Sequence, residues 1–108
     1  MAGLADGAAK ATVDASLDGA GTALVRIEGE IDLSSVPGLE VELELLIQAS
    51  PDRVVFDMSA VTFMDSSGIA MLLRAANRVV FVEIRDPSSP VRLILQATGL
   101  LEVFHLEP

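Results

Sequence analysis

The sequence predicts an α/β fold, in which one domain holds a mixed β-sheet of four to five strands, three helices and at most a vestigial fourth. Three observations support this prediction. Apolar and polar residues alternate early in the chain, segments of helical period then alternate with short apolar runs, and turn-forming residues separate them. The predicted order is β-β-α-β-α-β-α-β, which implies right-handed crossovers onto a largely parallel sheet that begins with one hairpin.

The first two strands are predicted to form that hairpin. Residues 1–10 are rich in Ala and Gly without a period, so we expect a flexible N-terminal tail and a domain over residues 11–108. Alternation that ends near Leu17 indicates a half-buried strand. Residues 18–21 have the composition of a hairpin turn, and a second strand is expected over residues 22–28.

Three later segments have the spacing of amphipathic helices. The first follows Ser34 and Ser35, either of which can cap it, with Pro37 in its first turn. The second opens after Asp65, and the third begins near Pro90. The predicted inward positions are Leu39, Leu43, Leu46 and Ile47, then Ile69, Leu72, Leu73, Ala76 and Val79, then Val91, Ile94, Leu95 and Thr98.

The remaining strands are short. The apolar run over residues 53–57 is typical of a strand covered on both faces. Residues 57–64 are expected to be a connector, in which Val61, Phe63 and Met64 anchor the following turn into the core. Further strands are predicted over residues 80–85 and 103–106.

Composition excludes several classes of function. The net charge of -9 disfavours binding to nucleic acid and to anionic membranes, because both carry phosphate groups. The chain has no cysteine, which excludes disulfides and thiolate metal sites. It shows no signal-peptide pattern and no apolar run long enough to cross a bilayer, so we expect a cytoplasmic protein.

The expected functional edge carries Asp32 and Ser66. Both lie in loops that follow strands and enter helices, where parallel sheets place their sites. A serine before a helix is usually only a cap, but two features favour a functional role here. The apolar connector should hold the turn rigidly, and Gly68 should clear space beside the serines for another backbone. Met71 is expected to be exposed one turn later, as a partner anchor or an incidental surface side chain.

The chain resembles the anti-sigma factor antagonists of the STAS domain family in three segments. Residues 63–69 contain the Asp-Ser-Ser-Gly turn, residues 29–32 precede the first helix, and residues 98–104 close the domain. The similarity covers about residues 12–106. It departs from the family pattern at Ala70, where a second Gly is frequent, and between Asn77 and the next strand, where a Gly-containing turn is common.

The resemblance implies a partner switch without enzymatic activity or a cofactor. A GHKL-type serine kinase that is also the anti-sigma factor would phosphorylate Ser66, with Ser67 as the alternative acceptor. The unphosphorylated form would bind this kinase and free a sigma factor, and a PP2C-type phosphatase would restore it. The expected partner surface comprises Glu30, Asp32, Ser34, Asp65, Ser66, Ser67, Gly68 and Met71.

Other interpretations remain open at this point. A serine hydrolase would need a base, and His105 is the one histidine in the chain. A metal site could use Glu28, Glu30 and Asp32, although a solvated acidic edge is the simpler interpretation. The fold could also serve as a constitutive docking module. Val41 and Leu45 lie opposite the buried stripe of the first helix, so the protein is expected to be a monomer or a weak homodimer.

Overall fold

In the computed structural model, residues 10–107 are described, and they form five strands and three helices. The predicted order of elements is confirmed. The strands are β1 (Ala11–Leu17), β2 (Thr22–Ile31), β3 (Arg53–Met64), β4 (Phe81–Arg85) and β5 (His105–Glu107). The helices are α1 (Val36–Gln48), α2 (Ser66–Ala76) and α3 (Ser89–Ala97).

The five strands form one mixed sheet in the order β1-β2-β3-β4-β5. β1 pairs with β2 antiparallel, and every later pair is parallel. Since the parallel strands follow one another in a single direction, right-handed crossovers place α1, α2 and α3 on the same face of the sheet. The largely parallel sheet with an initial hairpin, predicted from the sequence, is therefore confirmed.

The hydrophobic core lies between that face and the three helices. Val25, Phe56 and Ile84 point into it from three neighbouring strands and are fully buried. Leu72 and Leu95 reach the same cluster from α2 and α3. The helices described within residues 10–107 pack on one face of the sheet, yet Val54, Val55 and Phe56 are all buried, as expected for a strand covered on both faces.

The predicted connector before α2 is part of a strand. β2 continues to Ile31 and β3 to Met64, because the two strands stay paired in parallel as far as these residues. Two shifts of register accommodate the extra length, one of them beside Gly29. Val61 and Met64 are buried as predicted, whereas Phe63 is 47% exposed, so its predicted anchoring role is wrong.

Helix positions and strand ends show smaller differences. Leu46, Ile47, Leu73, Ala76 and Ile94 are only half-buried, and Thr98 is exposed, because each helix buries a narrower stripe than its period suggests. β4 begins after Val80, which is almost fully exposed, and β5 begins two residues later than predicted.

Two expectations concern the ends and exterior of the domain. The predicted tail, residues 1–10, lies outside the described residues except for Lys10. Val41 and Leu45 are exposed on α1, and the homodimer contact suggested for them stays a prediction. Among residues 10–107, none of the helices has the length and apolar character needed to span a membrane.

Candidate functional site

The carboxyl ends of β2 and β3 bring two aspartate loops together. Ile31 and Met64, the last residues of these strands, are partners in the parallel ladder. The backbone N–H of Asp65 donates to the carbonyl oxygen of Ile31 at 3.2 Å. Asp32 and Asp65 each directly follow one residue of this last pair, so two adjacent strand ends bring both side chains to the same edge. The edge predicted from the sequence is present, and both loops lead directly into helices.

The two serines after Asp65 differ in their hydrogen bonding. The Asp65 carboxylate caps α2 by accepting from the backbone N–H of Ser67 at 2.9 Å and from its Oγ at 2.5 Å. The Ser67 hydroxyl is therefore engaged in the cap. Ser66 is exposed, and its Oγ has no hydrogen-bond partner among residues 10–107. Only Ser66 presents a free hydroxyl at the start of this helix.

The loop before α1 is organised by Asp32. Its Oδ1 accepts from the backbone N–H groups of Ser34 and Ser35, at 3.0 and 3.1 Å, and from the Ser34 Oγ at 2.7 Å. Ser35 precedes the helix but makes no side-chain cap bond, and its Oγ donates instead to the carbonyl of Glu30 at 2.8 Å. Side-chain capping of α1 by Ser34 or Ser35 is thus wrong, and Asp32 instead forms an Asx turn with the two residues that precede the helix.

Lys10 binds the second oxygen of the Asp32 carboxylate. Its Nζ donates to Asp32 Oδ2 and lies 3.9 Å from Glu30 Oε1. The ammonium and the Ser34 hydroxyl hold the pKa of Asp32 well below its ordinary value. Conversely, the hydrogen bond to Asp32 raises the pKa of Lys10. Both oxygens of Asp32 are therefore occupied within the chain, and the side chain is 17% exposed.

Gly68 has a different role from the one expected. A Cβ at this position would lie 2.5 Å from Met64 Cγ and 2.9 Å from Ile31 Cγ2. The glycine is buried, and the space it leaves is filled by the ends of β2 and β3. It lets α2 start close against the sheet and does not clear space for a partner's backbone.

Met71 is not exposed, so the predicted hydrophobic anchor is wrong. Its side chain is 1% exposed because α2 packs against α1 as well as the sheet. With Leu43 and Ala75 it lines the floor of a groove of about 490 Å³ between the two helices. The exposed side of α2 carries Arg74 instead, and Arg78 follows two residues after the end of the helix.

Those two arginines are paired with carboxylates of α1. A guanidinium nitrogen of Arg74 lies 2.6 Å from Glu40 Oε2, and Arg78 makes a two-bond ion pair with Glu44. The hydrogen bonds with Arg78 hold the pKa of Glu44 low. The two ion pairs, one helical turn apart, cross-link α1 and α2 along the groove.

His105 is far from Ser66. It lies opposite Glu83 in the sheet, and Glu83 lies opposite Val55 in β3. Val55 precedes Met64 by nine positions, roughly 30 Å at about 3.3 Å per strand residue. The imidazole stacks on the Phe81 ring with centroids 4.1 Å apart. His105 therefore cannot act as a base for Ser66, which contradicts the hydrolase interpretation.

The acidic side chains near Asp32 are not grouped for a metal. Glu28 pairs with Arg26 at 3.2 Å, and Glu30 and Asp32 both face Lys10. In the part of the chain that the structure describes, no three His, Cys, Asp or Glu side chains are close enough to hold an ion.

The structure therefore gathers Glu30, Asp32, Ser34, Asp65, Ser66 and Ser67 at one edge and removes Gly68 and Met71 from its surface. The sequence patterns did not indicate Lys10, which directly precedes β1 and reaches this edge because β1 pairs antiparallel with β2. One signal was available, because Lys10 is the chain's single lysine.

Sequence comparison finds relatives with related names. The chain is 27% identical over 84 residues to the Anti-sigma F factor antagonist of Lysinibacillus sphaericus, covering 73% of this chain and 72% of that one. It is 34% identical over 59 residues to the Anti-sigma-F factor antagonist RsfB of Mycobacterium tuberculosis. That second match covers 55% of this chain and only 48% of RsfB.

Solved structures share the fold. A crystal structure of an anti-sigma factor antagonist from Mycobacterium paratuberculosis superposes with a TM-score of 0.82 and 29% identity, over 91% of this chain and 86% of that one. Unphosphorylated SpoIIAA gives a TM-score of 0.77 over 90% and 88% of the two chains. Phosphorylated Bacillus SpoIIAA gives 0.70 over 90% and 91%. Identity to SpoIIAA is 20%, which shows the fold alone.

A protein-family model also matches most of the chain. The model described as "STAS domain" matches residues 15–108, which include every element from the end of β1 onward and both aspartate loops. This chain belongs to the STAS domain family.

Proposed function

We propose that this protein is an anti-sigma factor antagonist whose binding to its partner is switched off by phosphorylation of Ser66. The observation that carries the proposal is the difference between the two serines. Ser66 is exposed with an unoccupied hydroxyl among the described residues, whereas Ser67 Oγ donates to Asp65. The names of the relatives, which are antagonists of anti-sigma factors, support the class of partner.

The proposed partner is an anti-sigma factor that is also a GHKL-type serine kinase, and a PP2C-type phosphatase reverses the modification. The unphosphorylated edge docks on this kinase in the cytoplasm and thereby frees a sigma factor. Glu30, Asp32, Ser34, Asp65 and the two serines form the contact surface. Within it, Asp32 acts by shaping the loop, because its carboxylate oxygens are already engaged.

Electrostatics supports a block at the interface. A phosphate adds about -1.5 to -2 charges at pH 7. At the N-terminus of α2 the helix dipole tolerates these charges, so the fold should persist. The edge already carries the carboxylates of Glu30, Asp32 and Asp65. On binding, a partner surface that fits a neutral Ser66 hydroxyl would have to bury the phosphate beside these negative charges, which is unfavourable.

The test uses four baits: the unmodified protein, Ser66→Ala, the protein with phosphoserine placed at position 66 during translation, and Ser67→Ala. Partners are captured in the presence of ADP and identified by mass spectrometry. A GHKL-type kinase should bind all baits except the phosphoserine form. The purified kinase with ATP should then modify the unmodified protein and Ser67→Ala, but not Ser66→Ala.

The second candidate is a constitutive docking module of the same fold. It predicts equal capture of a partner by all four baits and no kinase-dependent incorporation at Ser66. Either result would contradict the phosphorylation switch.

A further inference from the structure

Among residues 10–107, Lys10 is the one cation paired with the carboxylates of the acidic edge around Ser66. The chain has seven basic residues, and Lys10 is its one lysine. Among the described residues, the basic groups that follow Ser66 in the chain are first Arg74, within α2, and then Arg78, just after the helix ends. Arg74 lies eight positions after Ser66, roughly 12 Å along a helix, and both arginines are held by carboxylates of α1.

Lys10 is held at this edge by its own backbone as well as by its side chain. The N–H of Glu30 donates to the Lys10 carbonyl at 2.8 Å. Gly29, with φ of +98°, permits this approach, because a Cβ there would lie 2.2 Å from the same carbonyl oxygen. The ammonium is therefore delivered to Asp32 from a fixed backbone position.

The ammonium itself remains accessible. The Lys10 side chain is 48% exposed, whereas the Asp32 carboxylate beneath it is largely covered. The charged groups that face it are Asp32, Glu30 and, at longer range, Asp65. Asp65 directly precedes Ser66, and like Asp32 it follows one residue of the paired strand ends Ile31 and Met64. A phosphate on Ser66 would thus lie at the same edge as this ammonium. The flexible four-carbon side chain of Lys10 allows the ammonium to turn toward it.

We propose that Lys10 is the intramolecular counter-ion of a phosphate on Ser66, and that its ammonium leaves Asp32 to reach that phosphate. A phosphate attracts the ammonium more strongly than one carboxylate does, because it carries nearly two charges at neutral pH. The move uncovers the Asp32 carboxylate. Phosphorylation therefore changes the edge twice, by adding the phosphate and by exposing an aspartate that was neutralised before.

This inference rests on the proposed modification of Ser66 for its biological meaning, but its test requires no kinase. Phosphoserine is placed at position 66 during translation, and the phosphate is titrated by ³¹P NMR. The variants are Lys10→Met, Lys10→Arg and, as a matched loss of one positive charge elsewhere, Arg92→Met. Arg92 is exposed on α3 and forms no ion pair within residues 10–107.

In Lys10→Met the second pKa of the phosphate should rise by roughly half a unit, the size of a solvent-screened ion pair. Lys10→Arg should restore the original value, and Arg92→Met should leave it unchanged. A phosphate pKa that is equal in the parent and Lys10→Met proteins would overturn the inference. The phosphorylation switch itself would then still be judged by the bait experiment.

A second measurement does not depend on the folding of Lys10→Met, because it keeps Lys10 and compares the phosphoserine protein with the unmodified one. Reductive ¹³C-methylation labels Lys10 and the N-terminal amine, whose much lower pKa distinguishes its signal. The pKa of Lys10 should be higher in the phosphoserine protein than in the unmodified one. An equal or lower value would contradict a move toward the phosphate.

Discussion

The carboxylate of Asp65 accepts two hydrogen bonds from Ser67, one from its backbone N–H at 2.9 Å and one from its Oγ at 2.5 Å. These two hydrogen bonds fix the start of α2 and engage the Ser67 hydroxyl. Ser66, one residue earlier, points to solvent. Two adjacent serines with identical chemistry therefore occupy different environments, and this difference underlies the assignment of Ser66 as the modified residue.

Replacement of Asp65 by Ala should destabilise the fold by about 1 kcal/mol, because it removes the side-chain cap of α2. Urea denaturation followed by circular dichroism measures the loss. Asp14→Ala, at an exposed strand position, is the control and should change the free energy of unfolding by less than about 0.5 kcal/mol. Equal effects of the two replacements would show that the cap contributes nothing.

Gly68→Ala should destabilise the protein although alanine favours helices. Its Cβ would lie 2.5 Å from Met64 Cγ, and such overpacking costs about 1–3 kcal/mol. Gly38→Ala in α1 is the matched control, since a Cβ there meets nothing within 4 Å. It should stabilise by about 0.5–1 kcal/mol. Opposite signs in thermal unfolding are expected, and stabilisation by both would contradict the close packing of α2 on the sheet.

Glu83→Gln should lower the free energy of unfolding, because it breaks ion pairs on the face of the sheet opposite the helices. Glu83 is 1% exposed, pairs with Arg53, and lies 3.5 Å from an Arg85 nitrogen. Breaking a buried pair costs about 3–5 kcal/mol, and we expect about 1–3 because both arginines are nearly half exposed.

Denaturant titration measures this loss against Glu28→Gln, which breaks an exposed pair with Arg26 and should cost less than about 0.5 kcal/mol. Similar losses in the two variants would mean that burial of Glu83 adds nothing to its ion pairs.

Asp32 should make stability depend on pH. Its folded-state pKa lies below the ordinary value of 3.8, first because of Lys10 and then Ser34. A lowered pKa gives stability that is present above the unfolded value and is lost as pH falls through the folded one. Asp32→Asn should therefore be less stable than the parent at pH 7, and the difference should shrink once the pH falls below about 4. Urea titrations at several pH values test this, and a constant difference would count against the Lys10 contact.

Much of the fold could be predicted from residue patterns alone. Alternation in β1 and β2, helical spacing in α1 to α3, and turn residues between them indicated the correct element order. The position of the site followed from topology, because parallel strands bring the loops with Asp32 and Ser66 to one edge. These features are local or follow from general rules of chain connection, so one sequence suffices to predict them.

Burial in α2 and the length of β3 could not be predicted in this way. Helical periodicity shows that Met71 and Leu72 lie on different sides of α2, but not that α1 covers the second side. The segment before Asp65 looked like a connector because its pairing partner, the end of β2, is more than thirty residues away in the chain. Both outcomes depend on contacts between distant segments, which periodicity does not report.

The sequence by itself determined the α/β order, the acidic character and the serine pair at the start of α2. Only the tertiary structure decided which serine is free, that Gly68 serves internal packing, and that Lys10 neutralises Asp32 from 22 residues away. The physical reason is that hydrogen bonds and ion pairs need atoms within about 3–4 Å, and chain folding alone sets those distances.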